Sequence, residues 1–510
     1  MSGFSRRSGA LIGAALCLLA SAAAQAQSQR PALAGARPVQ AAPPQVYAAP
    51  TYAPQLSPYA VSLRADQIEL LQRTLADAPS HGFETNAFSP DQAIALLRSR
   101  DTASRQAGQN QLIAQTLAYA KAVRAGRLPA ASFMGDWGLR PAAYDPSAEF
   151  AMAVTQDRLG PWLDTLPPPY TGYKTLRRGL VTYRDIAAQG GWGQLSAGPE
   201  LKLGSTGLRV AALEARLAVE DSTVAVDAAP IFDDALAQAL MRAQKRFGLN
   251  PNGVLDKKTL DALNTPVERR VDQIVANMER WRWLPQVLPA DRIQVNIAAA
   301  VLSVFHRDAP TLTMRAVTGR PGDETPMLSS NIHSIVLNPP WNVPSSIAAR
   351  ELWPKEKASP GYLRRNDFIV IPTGDGGSRL QQKAGPKAAL GLIKFDFANN
   401  YGVYLHDTPS RSRFASFSRL ASHGCVRLEK PLDLARSVME GDPTWTPQAI
   451  DDTIASGKTV RAQLPQQIAV FLLYWTAYVT PDGQVNFRDD PYGWDRELVQ
   501  RIAASLSGSA

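Results

Sequence analysis

The chain has 510 residues, with 54 Lys and Arg against 45 Asp and Glu for a formal net charge of +9, and only two cysteines. That length exceeds what one core usually holds, so two or three domains are expected, and two cysteines are too few for a disulfide-stapled scaffold. The positive surplus suits an anionic partner, but no dense Lys/Arg run supports nucleic-acid binding and no stretch of about 18 uninterrupted apolar residues argues for a membrane span.

In chain order, Arg6 and Arg7, the apolar stretch Leu11 to Ala24 and the small-x-small site Ala24-Gln25-Ala26 predict an export signal over residues 1–26, cleaved after Ala26. Leu16 is too bulky to precede a lipid-modified cysteine, so Cys17 leaves with the signal. Residues 27–60, rich in Pro, Ala and Gln, predict an extended linker. From 61 to 200 the pattern is helical: Ile68, Leu71 and Leu75 form one stripe, and Ser89-Pro90 reads as an N-cap with proline at the first helical position. Residues 201–265 predict three short helices around one core, with stripes Val210/Leu213/Leu217 and Leu236/Leu240/Ala243/Phe247, and Asp256 capping the third.

Residues 291–464 carry short β-rich runs bounded by turns, which predict a sandwich or barrel. Within them, about 341–397 reads as a long insertion able to act as a lid. The tail, 465–510, is expected to pack back on the helical scaffold. The fold class is therefore multidomain α+β, with a β-sandwich-like domain behind two helical ones.

Chemistry concentrates at Cys425, which becomes the only thiol once the signal is gone. A free cysteine often serves as a small buried hydrophobe, but here it stands between Ser422-His423-Gly424 and Arg427, polar company with a glycine that lets the backbone approach a substrate. A free thiol titrates near 8.5, so an imidazole or cation is needed to activate it. Two imidazoles are available. His406 ends a strand-like run, Val403-Tyr404-Leu405, nineteen residues ahead of the thiol, and His423 is two residues away; spacing leaves the base open between them. Should either one stabilise a thiolate, its removal would raise the alkylation pKa of Cys425 toward the free value. A site built from His306, His333, His406 and His423 is the metal alternative, but no pair has helical ligand spacing and Cys425 lacks a thiol partner, so no metal and no cofactor is expected.

A histidine ahead of Ser422-His423-Gly424-Cys425-Val426-Arg427 resembles the signature of the bacterial L,D-transpeptidases. Trp281-Arg282-Trp283-Leu284-Pro285, Thr325-Pro326-Met327, Asn338-Pro339-Pro340-Trp341-Asn342, Ala389-Leu390-Gly391 with Lys394-Phe395, and Tyr474-Trp475-Thr476-Ala477 are similar to the large periplasmic subfamily that carries its own peptidoglycan-binding domain. Lys245-Arg246-Phe247-Gly248-Leu249 with Asn252-Gly253-Val254 resembles that three-helix peptidoglycan-binding module, over residues 201–265. Ala388 departs from the asparagine usual ahead of Ala-Leu-Gly, which leaves one loop contact open.

The resemblance implies a periplasmic enzyme acting on peptidoglycan stem peptides and the sacculus, with a tetrapeptide donor, a 3→3 cross-link and covalent inhibition by carbapenems. In that frame Cys425 is the nucleophile and His406 carries the proton. The Gly424 and Cys425 amides form the oxyanion hole, and Tyr404, Ser422, His423 and Arg427 position substrate or loop. The same Cys-His machinery with water as acceptor would make an L,D-carboxypeptidase or endopeptidase, and a chain without turnover would be a wall-binding protein.

Overall fold

The computed structural model describes residues 57–227, 230–374, 376–480 and 482–507. The expected export signal and nearly all of the expected linker lie outside them. Five helices, α1 (Ala65–Ala76), α2 (Asp91–Leu97), α3 (Thr102–Ala125), α4 (Ser147–Thr155) and α5 (Leu159–Thr165), enclose a core of their own. Leu71 and Leu75 of the α1 stripe are buried there with Phe83, Leu112 and Phe150. The Asp101 carboxylate accepts the Ser104 amide at 2.7 Å and so fixes where α3 begins. α2 begins at Asp91, one residue later than expected, with Pro90 just outside it.

α6 (Thr171–Ala188) follows the break at Pro167-Pro168-Pro169 and leaves this core: Tyr173, Leu176, Leu180 and Tyr183 are buried in the larger one. α7 (Leu208–Ala218), α8 (Asp234–Arg246) and α9 (Lys257–Leu263) form a three-helix unit in which both expected stripes are buried. Asp233 and Asp256 cap α8 and α9, each at 2.8 Å. The Gln244 side chain accepts the Gly253 amide at 2.9 Å and locks the turn between them.

α10 (Val267–Trp281) carries so many charges that it reads as a surface helix, yet Arg270, Gln273, Asn277, Glu279 and Arg280 are all buried. Their partners explain why. Glu279 accepts the Arg127 amide at 2.5 Å and the Arg282 guanidinium at 2.6 Å, Arg280 meets Asp495 at 2.5 Å, and Asn277 donates to the Thr476 hydroxyl at 2.7 Å. α10 thereby ties α6, the three-helix unit and the C-terminal helix Trp494–Ser507 together. Removing one partner of so buried a pair costs on the order of 3–5 kcal/mol.

The β-domain is built from β1 (Asp291–Asn296), β2 (Val301–His306), β3 (Ala309–Gly319), β4 (Leu328–Leu337), β8 (Ile393–Phe397), β9 (Leu405–His406), β10 (Leu420–Ser422), β11 (Val426–Leu428) and β12 (Val460–Leu473). Their order is β10-β3-β11-β9-β8-β4-β12-β1-β2, and β2 pairs again with β3, so the two layers of the expected sandwich close into a ring. β3 makes this possible by pairing with β2 along its first part and with β11 at Ala316 and Val317. Between β4 and β8 come β5 (Trp341–Asn342), β6 (Phe368–Pro372) and β7 (Ser378–Gln382), a separate sheet ordered β5-β7-β6.

Two expected boundaries move. β8 lies inside the main sheet between β4 and β9, so the insertion ends before Ile393 and not at 397. β12 runs through the expected limit at 464: its register shifts between Gln463 and Ile468, around Pro465, and then resumes to Leu473. Residues up to 473 therefore belong to the main sheet. Beyond them the tail packs on α10 and reaches the helical region, where Arg501 donates to the Ser132 carbonyl at 3.0 Å and Trp494 meets Trp137 edge-on at 6.2 Å.

Candidate active site

β9 and β11 run parallel, with Leu405 opposite Val426 and His406 opposite Arg427. Leu405, Val426 and Leu428 are fully buried in the ring. Strand alternation then sends Tyr404, His406, Cys425 and Arg427 to the other face, and β8 adds Lys394, opposite His406. Two ladders thus gather five of the chain's polar side chains on one surface.

Cys425 is free and half-buried. The Tyr404 backbone N–H and phenol both donate to its sulfur. Burial pushes the thiol up from its ordinary value, against the opposing pull of Tyr404, Lys394 and Arg427. Tyr404 in turn is held by a hydrogen bond with Trp341, by the Lys394 ammonium 4.3 Å over its ring and by the edge of His406 at 5.6 Å.

His406 is buried, and its Nδ1 lies 2.5 Å from the Asp407 carbonyl oxygen. A carbonyl only accepts, so Nδ1 carries the proton and Nε2 keeps its lone pair. Burial, helped by the neighbouring Arg427, pushes the imidazole down to about 3. At neutral pH the pair is therefore a thiol and a neutral imidazole. Burial disfavours charge on both groups and so works against a thiolate–imidazolium pair. Among the described residues no hydrogen bond joins the two. They are diagonal neighbours across the ladder, roughly 8 Å apart at Cα, on the same face of the sheet.

His423 is placed differently. Its Nε2 meets the Glu351 carboxylate at 2.6 Å. Burial, the largest single effect, works against the charge of Glu351, but the His423 hydrogen bond together with the charges of His423, Lys355 and Arg320 holds the carboxyl below its usual range. Glu351 belongs to the insertion, as does Arg350, which pairs with Asp323 at 2.7 Å; Arg320 bridges Asp323 at 2.8 Å and Glu351 at 3.4 Å. The insertion is itself a folded unit, with Val343, Ile347, Leu352, Leu363, Phe368 and Leu380 as its core. So His423 joins the folded insertion to the loop Ser422–Cys425.

The loop is set by local bonds. Ser422 Oγ donates to the Cys425 carbonyl at 2.5 Å and accepts the Gly424 amide at 3.2 Å. The Gly424 amide is thereby occupied, while no described residue takes the Cys425 amide. Gly424 has φ +104°, and a Cβ there would stand 3.1 Å from the Glu324 carbonyl, so only glycine fits without strain. Thr325 Oγ1 donates to the Gly424 carbonyl at 2.7 Å and accepts the Gly319 amide at 2.8 Å, and the Tyr492 hydroxyl donates to the Gly319 carbonyl at 2.6 Å. Thr325, Trp341, Glu351, Lys394 and Tyr492 all shape the site without having been singled out for it. The histidines of the metal alternative do not gather: His306 lies against Asp291 at 2.6 Å, and no described group of three His, Cys, Asp or Glu side chains is placed for a metal.

Three family models match the chain: "L,D-transpeptidase catalytic domain" over residues 290–445, "Scaffold domain" over 44–180 and "Putative peptidoglycan binding domain" over 206–263. A Haemophilus influenzae protein named "Putative L,D-transpeptidase" is 33% identical over 251 residues, which cover 46% of this chain and 50% of that protein. The chain thus spans about half the length of this relative. Among solved structures, L,D-transpeptidase (Yku) from Stackebrandtia nassauensis is 15% identical with a TM-score of 0.22, over 55% of this chain and 96% of that one. L,D-transpeptidase 3 from Mycobacterium tuberculosis is 15% identical with a TM-score of 0.20, over 36% and 61%. Likenesses that weak carry no weight beside the sequence matches. Cys425 and His406 both fall within residues 290–445, the segment that matches the L,D-transpeptidase catalytic-domain model.

Proposed function

We propose that this protein is a periplasmic peptidoglycan L,D-transpeptidase that forms 3→3 cross-links between stem peptides through a Cys425 thioester. The observation that carries the reading is the parallel ladder that sets a protonated thiol and a neutral imidazole on one face, inside a segment of this family. Cys425 sulfur attacks the carbonyl of the third stem residue while His406 Nε2 takes the S–H proton. The Cys425 amide receives the oxyanion; the Gly424 amide, already bonded to Ser422, is the weaker candidate. Collapse expels the fourth residue's amine, which leaves with the proton from His406. An amine of a second stem then attacks the thioester and restores the thiol.

Tyr404 and Arg427 flank the sulfur and the imidazole and orient the donor. Ser422 and His423 hold the loop and the lid. The folded lid, clasped at Glu351, favours transfer over hydrolysis because it excludes the competing water. Carbapenems are proposed to acylate the same thiol; one L,D-transpeptidase is known in complex with imipenem and another acylated by ertapenem. The matched peptidoglycan-binding segment supports a place outside the cytoplasm, and no helix among the described residues is long and apolar enough to cross a membrane.

Mass analysis of products from a purified tetrapeptide stem substrate tests the reading. Dimers with loss of the terminal residue are expected. Shortened monomers alone would replace it by the carboxypeptidase reading, and unchanged substrate would overturn both.

A further inference from the structure

A cleft of about 1080 Å³ lies where the three-helix unit meets the β-domain, lined from one side by Lys245, Phe247 and Lys258 and from the other by Phe417, Arg419 and Leu420. Arg270 and Arg488 complete its wall. Five cations thus face two carboxylates, Asp261 and Asp489, and Asp261 is already taken by Lys257 at 2.7 Å. Among the described residues none of the five cations forms an ion pair. Their hydrogen bonds go to neutral oxygens instead: Arg419 to the Ala299 and Ala300 carbonyls, Arg270 to the Ala262 carbonyl and the Gln273 side chain, and Arg488 to the Arg246 carbonyl.

Guanidinium groups buried or part-buried without a direct ion pair are costly, and that cost is reflected in the chemistry. Burial pushes Arg270 down to about 10 and lowers Arg419 and Arg488 as well. Arg419 Nε and Arg270 Nε are also left without a partner. Such a cleft is preorganised for an anion, since its three guanidinium groups are held by neutral oxygens and not by acids that would have to be displaced, while its two lysines stand free among the described residues. Beside them Phe417 is half-exposed, a flat surface suited to the apolar face of a sugar ring.

Position connects this cleft to the thiol. Arg419 and Leu420 lead into β10, which is pinned to β3 through the Arg419 and Ser422 carbonyls, and the chain reaches Cys425 five residues after Leu420, at most about 17 Å away. An extended tetrapeptide is on the order of 13 Å long. We propose that this interdomain cleft binds a second peptidoglycan strand through the carboxylates of its stems, and so delivers the acceptor to the acylated thiol. The inference rests on the peptidoglycan reading above and adds a site to it that is shared by two domains.

Lys245 and Lys258 are exposed and carry no fold contact of their own, so Lys245→Glu/Lys258→Glu tests the cleft without threatening the fold. The probe is a soluble glycan oligomer bearing tetrapeptide stems, used alongside the same oligomer with its carboxylates amidated. Binding by full-length protein is expected to weaken at least 10-fold in the double variant and at least 10-fold on amidation. The two losses should not add, and thiol acylation by imipenem should be unchanged. Equal affinity of wild type and double variant, equal binding of the amidated oligomer, or equally tight binding of polyglutamate would each overturn the proposal. Dimer formation by the wild type reports on the reaction separately: dimers without any loss in the variant remove the cleft alone, whereas no dimers and no binding remove the peptidoglycan reading as well.

Discussion

Two imidazoles are buried in this molecule and both are pushed down to about 3, one in the N-terminal helical region and one in the catalytic ladder. His81 lies among aromatic rings: its Nδ1 meets the Tyr173 hydroxyl at 2.9 Å, the Tyr173 ring stacks on it at 5.9 Å, and Arg177 and Arg282 add to the burial that keeps it neutral. His406 has a similar burial and a cation of its own, Arg427, but its ring shares a strand face with a thiol. Burial sets the charge state in both places. In the proposed mechanism only the neighbour across the ladder turns a neutral imidazole into a base, so a strongly shifted titration points to a catalytic site only together with a reacting group.

The comparison breaks most sharply at the sulfur. Cys425→Ala is expected to abolish acylation and cross-linking while leaving sacculus binding intact, as read by intact mass and pull-down; residual adduct in that variant would place the nucleophile elsewhere. Next, His406→Ala should lower the acylation rate roughly 10²-fold or more, measured by stopped-flow with a carbapenem. His81→Ala should leave acylation per folded molecule unchanged and instead destabilise the fold by about 1–3 kcal/mol in denaturant titrations.

Stability against pH sharpens the same pair. Both imidazoles sit below the unfolded value near 6.5, so the unfolded chain binds protons that the folded one refuses. Their contribution is complete above pH 6.5 and declines as pH falls toward 3. Either histidine variant should flatten that decline. The smallest effect is expected at the lid, where Glu351→Gln should change acylation only a few-fold but raise the ratio of hydrolysed to transferred product by loosening the bond to His423.

Much of the site is legible in the sequence because it is local. Ser422, Gly424, Cys425 and Arg427 lie within six residues, and the strand ending at His406 announces itself by its apolar run. The partners that refine it come from elsewhere by register or packing: Lys394 through β8, Trp341 and Glu351 from the lid, Thr325 and Tyr492 from either side of the ring. No spacing rule finds them. β8 is five residues long beside a turn-rich insertion, and so it hides as loop. Pro465 reads as a strand end because it has no N–H to pair, whereas β12 absorbs it in an irregular step and continues. α10 stays hidden for the opposite reason, since its buried acids and arginines satisfy one another only in the folded molecule.

The central claim is that the resting pair is uncharged, with His406 a neutral base beside a protonated Cys425. The rate of Cys425 alkylation by iodoacetamide, followed from pH 4 to 10.5 in the wild type, tests it most directly. With burial raising the thiol, the rate should show no inflection between pH 4 and 8 and should climb only above the free value near 8.5 from which the thiol is shifted. A plateau already reached below pH 7 would mean a thiolate–imidazolium pair and would contradict the account.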